Sequence, residues 1–198
     1  DDIETPADEE PRMHVDVAMA LGPLIARTSD ERLVSFIQGL LTPKDIDAET
    51  DGSRIERLKV VAGQKGRLRK LAIPIAKGLA MQLRQAYGIE PAPEARAAIL
   101  SILDSLPSEE PIADVALQAL TVEESPAVRS TAISILVRHA SEPGVMEQLC
   151  DLARGEQDLA IRDRVIASLP IETDQRAVDA MQWAAEHDSS SLVRGTAV

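Results

Sequence analysis

Four arginines, Arg96, Arg129, Arg162 and Arg194, recur at separations of 33, 33 and 32 residues. Each has an acid six residues upstream: Glu90, Glu123, Glu156 and Asp188. A guanidinium beside a carboxylate can bind an anion, place a proton or neutralise its neighbour. Arginines that serve an anionic ligand would not each bring a neutralising acid. An unpaired charge in a packed interior is very costly. The pattern therefore predicts a structural ladder, with each acid partnering an arginine of its own unit or of the next.

Little else in the chain has the spacing of a reaction centre. His14, His139 and His187 fall on different predicted elements and share no metal-ligand spacing. His139 and His187 fall near predicted helix C-termini, where a partly protonated imidazole interacts well with the helix dipole. Cys150 follows Leu149 in an apolar stripe and reads as core rather than nucleophile. A single cysteine forms no intrachain disulfide, which leans toward a reducing, cytoplasmic setting. There is no phosphate-binding glycine loop, no nucleotide fingerprint, no CxxC and no nucleophile elbow. The sequence implies no enzyme, no metal and no cofactor.

The elements that carry the ladder are short helices in pairs. Before each arginine stands Ala95, Val128, Ile161 or Val193. Three residues after it come Ile99, Ala132, Val165 and Ala197, and seven after it Leu103, Leu136 and Leu169. That is one apolar face at helical spacing, predicted over roughly 93–106, 126–139, 159–169 and 190–198. The preceding helices, near 111–122, 143–154 and 174–187, align Ala113, Met146 and Val178, then Ala116, Leu149 and Met181, then Ala119, Leu152 and Ala184. Pro107, Pro111, Pro126, Pro143 and Pro170 fall at predicted helix ends. With only Phe36, Tyr87 and Trp183 as aromatics, the core must be aliphatic, which suits close helix packing. A period near 33 with a fixed internal template is the signature of a repeat array.

Glu123…Val128-Arg129…Ala132…Leu136 and Asp188…Val193-Arg194…Ala197 resemble the HEAT repeat motif: an acid, a Val-Arg pair, then Ala and Leu three and seven residues on. Glu156…Ile161-Arg162…Val165…Leu169 and Glu90…Ala95-Arg96…Ile99…Leu103 are similar to it. Where the family often has a proline in the first helix, this chain has Val115, Gln148 and Ala180, which points to the short bacterial HEAT-like repeats. The resemblance implies an all-α, right-handed α-solenoid of antiparallel helix pairs over residues 73–198. The units are about 75–106, 108–139, 141–170 and 172–198. Residues 12–72 are divergent N-terminal helices. The second helices would line a concave face, with Ala98, Ser101, Thr131, Ser134, Arg164 and Ala167 directed away from the core and Arg138 one turn further along. Such a face implies a protein partner, a helix or an extended peptide.

The remaining signals are electrostatic. Residues 1–11 hold six acids and no base, and read as an acidic tail, either solvated or docked on a basic patch. A helix is predicted from Met13 to Ala26, with Pro23 bending or breaking it, and another from Thr28 to Leu41. Residues 44–52 read as a polar loop, and Gly88 as the C-cap of a helix opened by Pro74. Residues 54–84 carry nine bases, Arg67, Arg69 and Lys70 among them, and one acid, a local charge of +8 in a chain of −12. That segment is either a solvated face or a site for an acidic protein segment. The overall negative charge and the absence of aromatics in the segment disfavour nucleic acid. A nucleic-acid-associated HEAT-like solenoid and a bilin-lyase-like HEAT protein remain the alternative functions. No apolar run reaches the ~18 residues of a membrane span.

Arg194 is followed by four residues, so the template stops before its leucine. The residues predict that the parent chain continues or that this end self-associates. Adding one repeat is expected to raise the melting temperature in a calorimetric scan. An unchanged temperature in a strict monomer would contradict this.

Overall fold

The computed structural model describes residues 20–41, 48–107 and 112–198, and among these every regular element is a helix. The acidic stretch 1–11 and the first part of the helix expected from Met13 lie outside the described residues. Two compact units divide the chain, Asp1–Glu109 and Glu110–Val198.

The first unit contains α1 (20–27), α2 (Asp30–Leu41), α3 (Ala48–Gly63), the short α4 (Lys65–Leu68), α5 (Ile73–Ile89) and α6 (Pro93–Ser105). Helices α2 and α3 pack as a pair, as do α5 and α6; α2 also packs on α5, and α3 on α6. Helix α6 is covered by α3, α4 and α5, and Ala98, Ile99, Leu100, Ile102 and Leu103 are all buried.

The second unit contains α7 (Ala113–Val122), α8 (Pro126–Arg138), α9 (Val145–Gly155), α10 (Leu159–Ser168), α11 (Gln175–His187) and α12 (Ser191–Thr196). The pairs are α7–α8, α9–α10 and α11–α12. Helices α8, α10 and α12 pack in sequence, and α9 packs on α11. Two first-of-pair helices bury mainly alanines, Ala113, Ala116 and Ala119 with Leu120 on α7 and Ala177, Ala180 and Ala184 on α11, whereas α9 buries Val145, Met146, Leu149, Cys150 and Ala153. Alanine at this spacing lets helix axes approach closely. Among the second-of-pair helices α8 buries Val128, Ala132, Ile133, Ile135 and Leu136, and α10 buries Ile161, Arg162, Val165 and Ile166. Phe36, Tyr87 and Trp183 are all only half-buried, so the core is aliphatic.

Local chemistry sets the ends. Pro93 and Pro126 sit in the first turns of α6 and α8, where their missing N–H costs nothing. Asp158 caps α10, accepting from the Ala160 and Ile161 amides at 2.9 and 3.2 Å. Asp174 and Ser190 cap α11 and α12. Gly144 precedes α9 at φ 82°, a left-handed conformation that side chains resist.

Two local expectations are corrected and one is narrowed. Helix α3 begins at Ala48, so the predicted loop 44–52 is helical from 48 on, because polarity alone does not separate a polar helical turn from a loop. Gly88 lies inside α5, and Glu90 is the C-cap residue. Pro23 lies within helical residues 20–27, so of the two alternatives expected for it the break does not occur.

Two glycine substitutions should act with opposite sign. A methyl group added at Gly144 or at Gly78 would meet no atom within 4 Å, so only the backbone decides. Gly144→Ala is expected to lose about 1 kcal/mol, and Gly78→Ala, inside α5, to gain about 0.5–1 kcal/mol. Urea midpoints of the two variants check this.

Candidate functional site: the ladder and the surfaces it sets

Each rung joins one helix pair to the next. Arg162 on α10 grips Asp188, in the turn before α12, with two parallel bonds: Nε to Oδ2 at 2.7 Å and Nη2 to Oδ1 at 3.1 Å. Its Nη1 donates to the backbone carbonyl of Glu156, the acid six residues upstream. Asp188 Oδ1 also accepts from the Ser190 amide at 2.8 Å, and the Asp188 carbonyl accepts from Arg194 at 2.7 Å. Arg129 on α8 repeats the scheme, donating to Glu156 Oε2, while Glu156 Oε1 accepts from the Asp158 amide at 2.9 Å. The assignment of partners is therefore split: the carboxylate serves the arginine of the preceding pair, and the carbonyl of the same residue serves the arginine of its own.

In the first unit Arg96 Nη1 donates to the carbonyls of Glu90 and Pro91, both at 2.9 Å. The Glu90 carboxylate receives Arg54 of α3 through Nη1 at 2.9 Å and Nη2 at 3.0 Å, and the Ala92 amide at 3.1 Å. Arg54 thus stands to Glu90 as Arg129 stands to Glu156, and it is buried, with 7% of its surface exposed. By sequence Arg54 reads only as one base of the basic segment. The template misses it because Ser53 precedes it and Arg57 lies three residues on, where the other rungs have apolar residues. Its separation from the acid is also 36 residues, against 27 and 26 for the second-unit rungs, with α4 lying in between. Glu123 is half-buried in the turn before α8, its amide bonded to the Ala119 carbonyl.

These pairs are largely removed from water; the Arg162 and Asp188 side chains are 11% and 2% exposed. The Arg162 hydrogen bond holds the Asp188 carboxyl below its ordinary value of 3.8, against the opposing effect of burial. Burial raises the Cys150 thiol, whose Sγ donates to the Arg176 carbonyl. His139 bonds Glu142, and His187 stacks on Trp183 with ring centres 5.7 Å apart. Among the described residues no group of three or more His, Cys, Asp or Glu is arranged to hold a metal ion. No described helix is long and apolar enough to cross a membrane.

Residues 113–198 match the family model for HEAT repeats. Over those residues the chain carries HEAT-like repeats. No curated protein and no solved structure matches the chain. HEAT-like repeats commonly serve protein interaction, and the predicted surface residues fall as follows. Arg164 on α10 donates to Ser134 Oγ on α8 at 2.9 Å, so the structure brings these two together. Thr131 is half-buried one turn before Ser134, its hydroxyl bonded to the Ala127 carbonyl. Pro126, Ser130, Asp163, Arg164, Ala167 and Ser168 line an open groove of about 490 Å³ beside them. Arg138 lines a separate groove of about 470 Å³ with Glu142, Asp174 and Arg176. Ser101 belongs to the first unit and bonds the Ala97 carbonyl. Ala98, expected to face outward, is buried because α6 is covered by three helices of its own unit. Arg67 bonds Asp30 and the Thr28 carbonyl, whereas Arg69 and Lys70 are exposed.

Breaking one partner of the most enclosed rung should be costly. Arg162→Met is expected to lose about 3 kcal/mol, and Arg162→Met/Asp188→Leu to recover much of it, since no buried charge is left unpaired. Because the folded Asp188 carboxyl titrates below its unfolded value of 3.8, its contribution is present above that pH and disappears as pH falls through the lower folded value. The urea midpoints of the native chain and Asp188→Asn should therefore converge as pH drops below 3.8.

Proposed function

We propose that the protein is a non-catalytic interaction scaffold whose second-of-pair helices present a binding face for a helix or extended peptide of a protein partner. The observation that carries this reading is the groove between α8 and α10, with the Arg164–Ser134 bond beside it. Its outward residues are small or hydroxylated, so a partner backbone can approach closely, and Arg164 and Asp163 offer one charge of each sign. Because the ladder arginines are engaged by acids and carbonyls, they hold this face in place rather than contact a ligand. Basic residues of 54–84 that stay outside the ladder supply a second surface, suited to an acidic protein segment. Arg54 is withdrawn from that surface by Glu90 and Arg67 is tied to Asp30, which weakens a phosphate-tracking nucleic-acid role.

Thr131→Glu/Ser134→Glu is expected to abolish recovery of a cross-linked protein partner from the native cell while leaving circular dichroism and melting temperature close to those of the parent. Recovery of the same partner by both proteins would rule out this face.

A further inference from the structure

The first unit contains a basic basin that the ladder does not use. Arg27 at the end of α1, Thr28, Gln64, Gly66, Arg67 and Lys70 line an open concavity of about 590 Å³, between the α1–α2 corner and the α3–α4 turn. The Arg67 guanidinium is fixed there by the Thr28 carbonyl at 3.0 Å and Asp30 Oδ1 at 2.5 Å. Asp30 consumes one positive charge, but Arg27 and Lys70 are exposed and have no acid partner among the described residues. Lys65 and Arg69 flank them on the same turn, with no acid from 57 to 89. Like charges gathered without a counter-charge raise one another's energy, and an anionic occupant relieves it.

We propose that this basin is the docking site of the chain's own acidic arm, residues 1–10. The arm has six acids and no base, so its charge complements the basin. Nine residues, 11–19, join it to the described part of α1; fully extended they span roughly 30 Å. Residue 20 is only about 10 Å along the helix from Arg27. The tether thus reaches the basin with length to spare. A short tether holds its end at an effective concentration on the order of millimolar. The arm therefore outcompetes a free acidic peptide of the same intrinsic affinity at micromolar concentration.

This inference rests on the reading of the basic segment as an anion-binding surface, and one titration separates the two. A labelled synthetic peptide of sequence DDIETPADEE is titrated by fluorescence anisotropy at low salt, where screening is weak. Three full-length chains are compared: the native one; one carrying Asp1→Asn, Asp2→Asn, Glu4→Gln, Asp8→Asn, Glu9→Gln and Glu10→Gln; and that chain with Arg27→Ser and Lys70→Gln added. Arg67 is left intact because it is bonded into the fold. The neutralised arm is expected to tighten peptide binding about tenfold, for an intrinsic Kd near a tenth of the effective concentration, and the two basin substitutions to remove the gain. If native and neutralised chains bind the peptide equally, the arm is not the occupant although the surface binds acids. If the gain survives loss of Arg27 and Lys70, the site lies elsewhere. If no chain binds the peptide, both the inference and the anion-surface reading fall. Displacement of the peptide by a short RNA at lower concentration than by unlabelled peptide would assign the basin to nucleic acid and overturn the arm as its occupant.

Discussion

A guanidinium taken out of water needs a partner for nearly all of its donors, and that requirement organises this protein. In the Arg162 rung the need is met by a carboxylate from the following helix pair and a carbonyl from its own. One residue, the acid in the turn, supplies both kinds of acceptor to two successive arginines. The backbone amide two residues beyond the acid orients its carboxylate, as the Ala92, Asp158 and Ser190 amides do. A pair of helices cannot shift against its neighbour without breaking this set together. The aliphatic core supplies the free energy of packing, and the ladder fixes the register in which it packs.

The same economy separates structural from available charge. Arg54, Arg129 and Arg162 are enclosed with acids. Arg27, Arg69 and Lys70 stay at the surface with no such partner among the described residues. Under the proposed reading, any contact with an anionic partner would fall to the second group. On α8 and α10 the outward positions are short, so shape rather than charge density would select a partner there. In the first unit the basin around Arg67 has the opposite character, and charge would select.

Much of the second unit was legible from sequence. A fixed template at a near-constant period leaves few alternatives when prolines, caps and apolar stripes agree. The rungs of Arg129 and Arg162 could be foreseen as pairs, although spacing left open whether the acid came from the same unit or the next. The first unit was less legible. Its rung at Arg54 has polar neighbours at template positions, and the longer separation from Glu90 defeats a search at fixed period. Polar stretches such as 48–52 carry no periodic signal, because without apolar residues a helical turn has no face for spacing to mark.

The sequence by itself determined the helical class, the repeat length and the recurring arginines and acids of the ladder, because helical period and the cost of unpaired charge act locally and leave marks at fixed spacings. Only the tertiary structure decided which acid meets which arginine, that Ala98 is covered while Ser134 meets Arg164, and which bases remain at the surface. Those outcomes depend on which helices lie side by side, and adjacency between residues 26 to 36 apart is set by packing rather than by any local pattern.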